Sequence, residues 1–200
     1  MLKTINDTVS ISMKVQRSEF IAFLYPVDEA GKVKEIFAGH CEQYRNATHN
    51  CYAYVIGKKQ ECQYYSDQGE PSGTAGKPIL NMLLKYELTN IMAIVTRYYG
   101  GIKLGVRGLI DAYSETVEQA IMSAVLSEFH TMESIHITLD YSVLESLRHF
   151  LKAHESTLTV SDFGTDITAE IAYPEEKHNE IGSYLNDLTQ KGLIRIITPK

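Results

Sequence analysis

The residues of this 200-residue chain whose types and spacing could do chemistry gather at two glycine-punctuated segments. The first, Asp67-Gln-Gly-Glu-Pro-Ser-Gly-Thr-Ala-Gly-Lys77, carries Asp67, Glu70, Ser72, Gly73, Thr74 and Lys77. The second, Arg97-Tyr-Tyr-Gly-Gly-Ile-Lys-Leu-Gly105, carries Arg97, Tyr98, Gly100, Gly101, Lys103 and Gly105. Each follows a strand-like run and leads into a helix-like run. Glycine-rich loops expose backbone N–H groups and a helix N-terminus adds partial positive charge, so the pair suits an anionic or extended ligand. Tyr98 and Tyr99, beside Arg97, could stack on a base or a peptide. Strand alternation sends them to opposite faces, so at most one of the two is free.

Several familiar chemistries are weighed against these residues. A phosphate-binding GxxxxGK[ST] loop ending at Gly76-Lys77 needs glycine at 71 and Ser or Thr at 78; the chain has Pro71 and Pro78, so ordinary NTPase chemistry is not supported. Backbone anion binding helped by Lys77 survives that failure, because it needs only loop geometry. His49-Asn50-Cys51 places His49 and Cys51 on one strand face, which permits a nucleophilic pair. A cysteine in so Tyr/Ala/Val-rich a strand reads more simply as a small core residue. No set of three or four metal ligands with familiar spacing is present, and no residue set implies a cofactor. Asp67 and Glu70 could form an acid–base pair; the simpler role is to cap loop N–H groups or to pair with Arg97 or Lys103.

The elements that must position these loops follow from periodicity. Val9–Tyr25 reads as two strands, and Val33, Ile36, Phe37, His40, Cys41 and Tyr44 form a helical stripe. Cys51–Ile56 and Glu61–Tyr65 read as short strands around Gly57. Ile79, Met82, Leu83 and Tyr86 mark a helix with Pro78 in its first turn; Asn90–Arg97 reads as a buried strand; a longer helix follows from Leu109 to about Leu126. Beyond a boundary between Phe129 and Ser134 the order becomes strand, helix, strand, strand, helix, strand, the split βαβ pattern of ferredoxin-like domains. The expected organisation is α+β with two domains, 1–131 and 132–200.

Composition narrows the partners. The chain is 44% hydrophobic, enough for one core or two small ones. Its net charge of -6 is uneven: residues 1–130 carry 13 Lys+Arg against 14 Asp+Glu, and residues 131–200 carry 6 against 11. A surface without a basic run does not suit broad duplex binding. Cys41, Cys51 and Cys62 form no CxxC pair, which points to reduced thiols in the cytoplasm. The opening residues lack the apolar stretch of a secretory signal, and no run is long enough to span a membrane.

The motifs Ala47-Thr-His-Asn-Cys-Tyr-Ala53, Ser66–Leu80 and Val95–Gly105, with Arg17-Ser-Glu-Phe-Ile-Ala22, closely resemble the bacterial YigZ-like branch of the Impact family. The resemblance implies a first domain with the fold of the second domain of ribosomal protein S5. It implies a second, ferredoxin-like domain similar to one of elongation factor G. Eukaryotic relatives couple the first domain to control of translation initiation by binding a protein partner, not by chemistry. The expected function is therefore a non-enzymatic binding protein linked to translation, holding RNA, the ribosome or a protein through the two loops; the alternative is an enzyme or sensor acting on a small phosphorylated or carboxylated metabolite. The expected ligand-binding set is His49, Asn50, Asp67, Glu70, Ser72, Gly73, Thr74, Lys77, Arg97, Tyr98, Gly100, Gly101, Lys103 and Gly105. One departure from the family pattern is Val106-Arg107-Gly108, where Ala-Gly-Gly is expected after Leu104-Gly105; it puts a charge at a helix start.

Overall fold

A computed structural model describes residues 1–197. It divides into two compact units, the first being Met1–Phe129 and the second starting at His130. The fold is mixed α and β.

The first unit is built on a five-stranded antiparallel sheet. Its strands are β2 (Val9–Val15), β3 (Ser18–Pro26), β4 (His49–Ile56), β5 (Cys62–Ser66) and β6 (Ile91–Tyr98), in the order β2-β3-β6-β4-β5. β6 is the middle strand, and every residue from Ile91 to Arg97 is buried. Its near-continuous apolar run is the pattern of a strand covered on both faces. On one face, α2 (Gly76–Lys85) and α3 (Gly105–Ser123) pack over Phe20, Leu24, Cys51, Ala53, Val55 and Val95. On the other, α1 (Ala30–Gln43) brings Val33, Ile36 and Phe37 onto Met92, Ile94 and Ile56. Fully buried side chains such as Leu83, Ile79 and Ile121 each contribute roughly 1.5–3 kcal/mol by leaving water.

Two short strands escape sequence periodicity. β1 (Lys3–Ile5) pairs antiparallel with β7 (Leu126–Glu128), tying together the ends of the unit. The third helix therefore stops at Ser123, short of the expected Leu126, and Ala124 already has extended backbone.

The second unit runs β8 (Met132–Leu139), α4 (Leu144–Ala153), β9 (Thr157–Phe163), β10 (Ile167–Pro174), α5 (His178–Gln190) and β11 (Ile194–Ile197). Its sheet has the order β11-β8-β10-β9, antiparallel throughout. Leu147 and Leu151 of α4, with Ile181 and Leu185 of α5, close a separate core over Ile137, Leu139, Ile167 and Ile171. Among the described residues no helix is long and apolar enough to cross a membrane.

Candidate functional site

The two glycine loops open at the α2/α3 face of the first sheet, and the first of them is held from within. The Asp67 carboxylate accepts from the backbone N–H groups of Gly73 (2.8 Å), Ala75 (3.0 Å) and Gly76 (2.8 Å). An anion thus already sits at the N-terminus of α2, as the helix dipole favours, but it belongs to the chain itself. The expectation that these N–H groups receive an external anion is corrected on that ground. Thr74 is likewise internal: it is buried, and its hydroxyl donates to the Pro71 carbonyl at 2.7 Å. Gly76 must be glycine because a Cβ there would come within 2.7 Å of the Ser66 backbone. Ser72 and Lys77 face solvent.

Arg97 makes with Glu70 the pairing that the sequence offered as the simpler role, and makes it inside the unit rather than at the surface. It is buried, and its Nη1 donates to Glu70 Oε1 at 2.6 Å, with the two side chains only 6% and 3% exposed. The Tyr113 hydroxyl donates to the same carboxylate oxygen at 2.9 Å. The guanidinium also lies 5.3 Å from the ring centroids of Phe20 and Tyr99, within cation–π range. Gly100, whose N–H donates to the Ser18 hydroxyl at 3.2 Å, lets the second loop close against the β2–β3 turn. A Cβ on Gly100 would stand 1.8 Å from the Arg17 carbonyl oxygen.

Cys51 lies on this face, fully buried, its thiol donating to the Asp67 carbonyl at 2.9 Å. Burial pushes its pKa up to about 12, so it is not a thiolate nucleophile near neutral pH. His49 stands opposite Arg97 in the β4–β6 register, and its Nδ1 donates to the Gln68 carbonyl at 2.9 Å. That bond orients the ring along the first loop rather than toward Cys51.

The register separates two other expected residues from the loops. Asn50 and Tyr98 alternate to the α1 face of the sheet. There Asn50 Oδ1 accepts from the Thr96 hydroxyl at 2.8 Å, and Thr96 lies 2.7 Å from His40 Nε2. Tyr98 pairs in register with Glu19 on β3.

What the loops leave open is a cleft of about 370 Å³. Glu70, Arg97, Lys103 and Gly105 of the expected set line it, joined by Pro71, Tyr99, Leu104, Val106 and Leu109. Tyr99, Ile102 and Val106 are 43%, 38% and 63% exposed at or beside its mouth. Tyr99, not Tyr98, is the aromatic residue at the cleft. Of the apolar wall from Leu104 to Leu109, the sequence marked only Leu109, as the start of a helix. Arg107 points along its own helix toward Asp111, 3.7 Å away, and is not part of the lining.

Comparison with known proteins agrees with this architecture. The Impact N-terminal domain matches residues 16–121, a span that includes both loops. The Bacillus subtilis IMPACT family member YvyE is 34% identical over 93% of this chain and 86% of its own. The Escherichia coli member YigZ is 30% identical over 92% of each. The crystal structure of a hypothetical protein, 28% identical, superposes with a TM-score of 0.69 over 100% of this chain and 97% of that one. The chain belongs to the Impact family, in its YigZ-like branch.

Proposed function

We propose that this protein is a non-enzymatic binding module acting in translation or its regulation, in the cytoplasm, and that it holds a protein partner at the cleft between the two glycine loops. The observation that carries this reading is the internal use of the reactive groups. Asp67 caps three backbone N–H groups, Glu70 neutralises Arg97, and Cys51 is a protonated core thiol. Among the described residues no nucleophile–base–orienter constellation is left facing the cleft. What faces solvent instead is an aromatic and aliphatic rim with one lysine, the composition of a docking site. The near-neutral charge of this unit supports a protein over RNA, whose phosphates need several neutralising cations.

The same reading gives the first unit the fold of the second domain of ribosomal protein S5 and the second a ferredoxin-like fold. The β11-β8-β10-β9 order with both helices on one face supports the latter.

The test is affinity capture of the tagged chain from lysate at low and moderate salt, with Tyr99→Ala/Lys103→Ala alongside. A translation factor or ribosomal protein retained by the wild type and lost by the variant is the expected result. RNA alone retained at low salt, or nothing retained at either salt, overturns the reading.

A further inference from the structure

Helix α1 is held to the first sheet more thinly than the helices on the opposite face. Of its 14 residues only Val33 and His40 are buried, against five of ten in α2 and seven of 19 in α3. Ile36 and Phe37 add partly covered apolar contact, and the rest of the hold is polar. His40 Nδ1 lies 2.9 Å from the Tyr25 hydroxyl on β3, and His40 Nε2 lies 2.7 Å from the Thr96 hydroxyl on β6. Thr96 donates its own proton to Asn50 Oδ1 on β4, so it accepts from His40 Nε2–H, and Nδ1 is left bare to accept from Tyr25. The bonds run one way, from Tyr25 through a neutral His40 to Thr96 and Asn50. Among the described residues no charged group faces this ring. β3 presents Phe23 and Tyr25, β6 presents Thr96, β4 presents Asn50, and α1 itself presents Tyr44, stacked at 4.6 Å. Burial lowers the His40 pKa from 6.5 to about 4, against a smaller upward pull from Asn50.

We infer that α1 is a detachable flap latched by His40, and that it leaves the sheet ahead of α2 and α3 when the imidazole takes up a proton. An imidazolium carries N–H on both nitrogens, so Nδ1 no longer accepts from Tyr25, and its charge is left between helix and sheet without a counter-ion. Water reaches that charge once α1 moves away, and only the contact of Val33, Ile36 and Phe37 resists the movement. An element with so few buried residues opens at a lower free energy than the whole unit. Opening bares Met92, Ile94 and Ile56 on the sheet. The cleft lies on the opposite face, so the latch does not depend on what the cleft holds.

The experiment is amide hydrogen exchange of the full ¹⁵N-labelled chain at pH 7, 6 and 5, with each rate divided by the intrinsic rate at that pH. At pH 7 the amides of α1 should exchange through an opening that leaves α2 and α3 protected. The constant for that opening should rise about twenty-fold between pH 7 and pH 5, as a proton held at pKa 6.5 in the open form and at about 4 in the closed form requires. The ring ¹⁵N shifts of His40 at pH 7 should show a protonated Nε2 and a bare Nδ1. Tyr25→Phe removes the donor to Nδ1 and keeps the imidazole, so it should raise the opening of α1 at pH 7 and retain the rise toward pH 5. His40→Gln should flatten the pH profile of α1. Protection of α1 as deep as that of α2 and α3, loss of protection in all three together, a flat wild-type profile, an Nδ1–H tautomer, or a pH profile that survives in His40→Gln each overturns the inference.

Discussion

Arg97 and Glu70 meet at 2.6 Å inside the first unit, almost wholly out of water, although 27 residues separate them in sequence. This pair staples the end of the central strand β6 to the first glycine loop, and Tyr113 of α3 locks it from behind. Removing one partner strands the other as a buried charge. Glu70→Leu is expected to cost about 3–5 kcal/mol in urea denaturation. Glu70→Leu/Arg97→Met should recover much of that loss, giving a strong coupling in a double-mutant cycle. Additive losses would show that the pair does not act as a unit.

Asp67 provides a second, independent staple. Asp67→Ala leaves three backbone N–H groups at Gly73, Ala75 and Gly76 without their acceptor. A destabilisation of about 1–3 kcal/mol is expected, with faster amide exchange at those three positions. Unchanged exchange there would contradict the capping role.

Gly100 and Gly101 should differ sharply when replaced by alanine. At Gly100 the new Cβ would lie 1.8 Å from the Arg17 carbonyl oxygen, so backbone must move. At Gly101 there is no neighbour within 4 Å, and the cost is that of φ +86°, about 1 kcal/mol. The melting temperature should therefore fall further for Gly100→Ala; the reverse order would show that the second loop is not packed against the β2–β3 turn.

His40 sets a pH dependence. It is buried, within hydrogen-bond distance of Tyr25 and Thr96, and burial lowers its pKa from 6.5 to about 4. The folded state thus binds the proton less readily than the unfolded chain. The stability His40 contributes is complete above pH 6.5, is lost as pH falls toward 4, and changes no further below that. Urea denaturation of wild type and His40→Gln from pH 8 to pH 4 should show a difference that shrinks across that window. A constant difference would mean that His40 does not titrate there.

Cys51 should resist alkylation. With its thiol pushed up to about 12, iodoacetamide at pH 8 should leave it unmodified in the folded chain and modify it in urea. Rapid labelling of Cys51 in the native protein would reopen the nucleophile reading.

The sequence by itself determined the elements and the family. Alternation and helical stripes marked most of the strands and helices, since period-2 and period-3.6 burial are local properties. The glycine motifs marked where the loops lie, and Pro71 and Pro78 removed the nucleotide-binding reading. β1 and β7 were missed because three residues are too few for a period to register. Tertiary structure decided what the loop residues do. Whether an odd or an even position faces the cleft depends on strand register, so Asn50 and Tyr98 went to the α1 face while Tyr99, just past the strand, came to the cleft. That Glu70 meets Arg97, and that Asp67 turns onto its own loop, are contacts between distant or folded-back segments. The residue types offered both roles among others, but only the packing of β4, β6 and α3 selects them, and that packing turns a set of apparent reactive groups into the internal scaffold of the cleft.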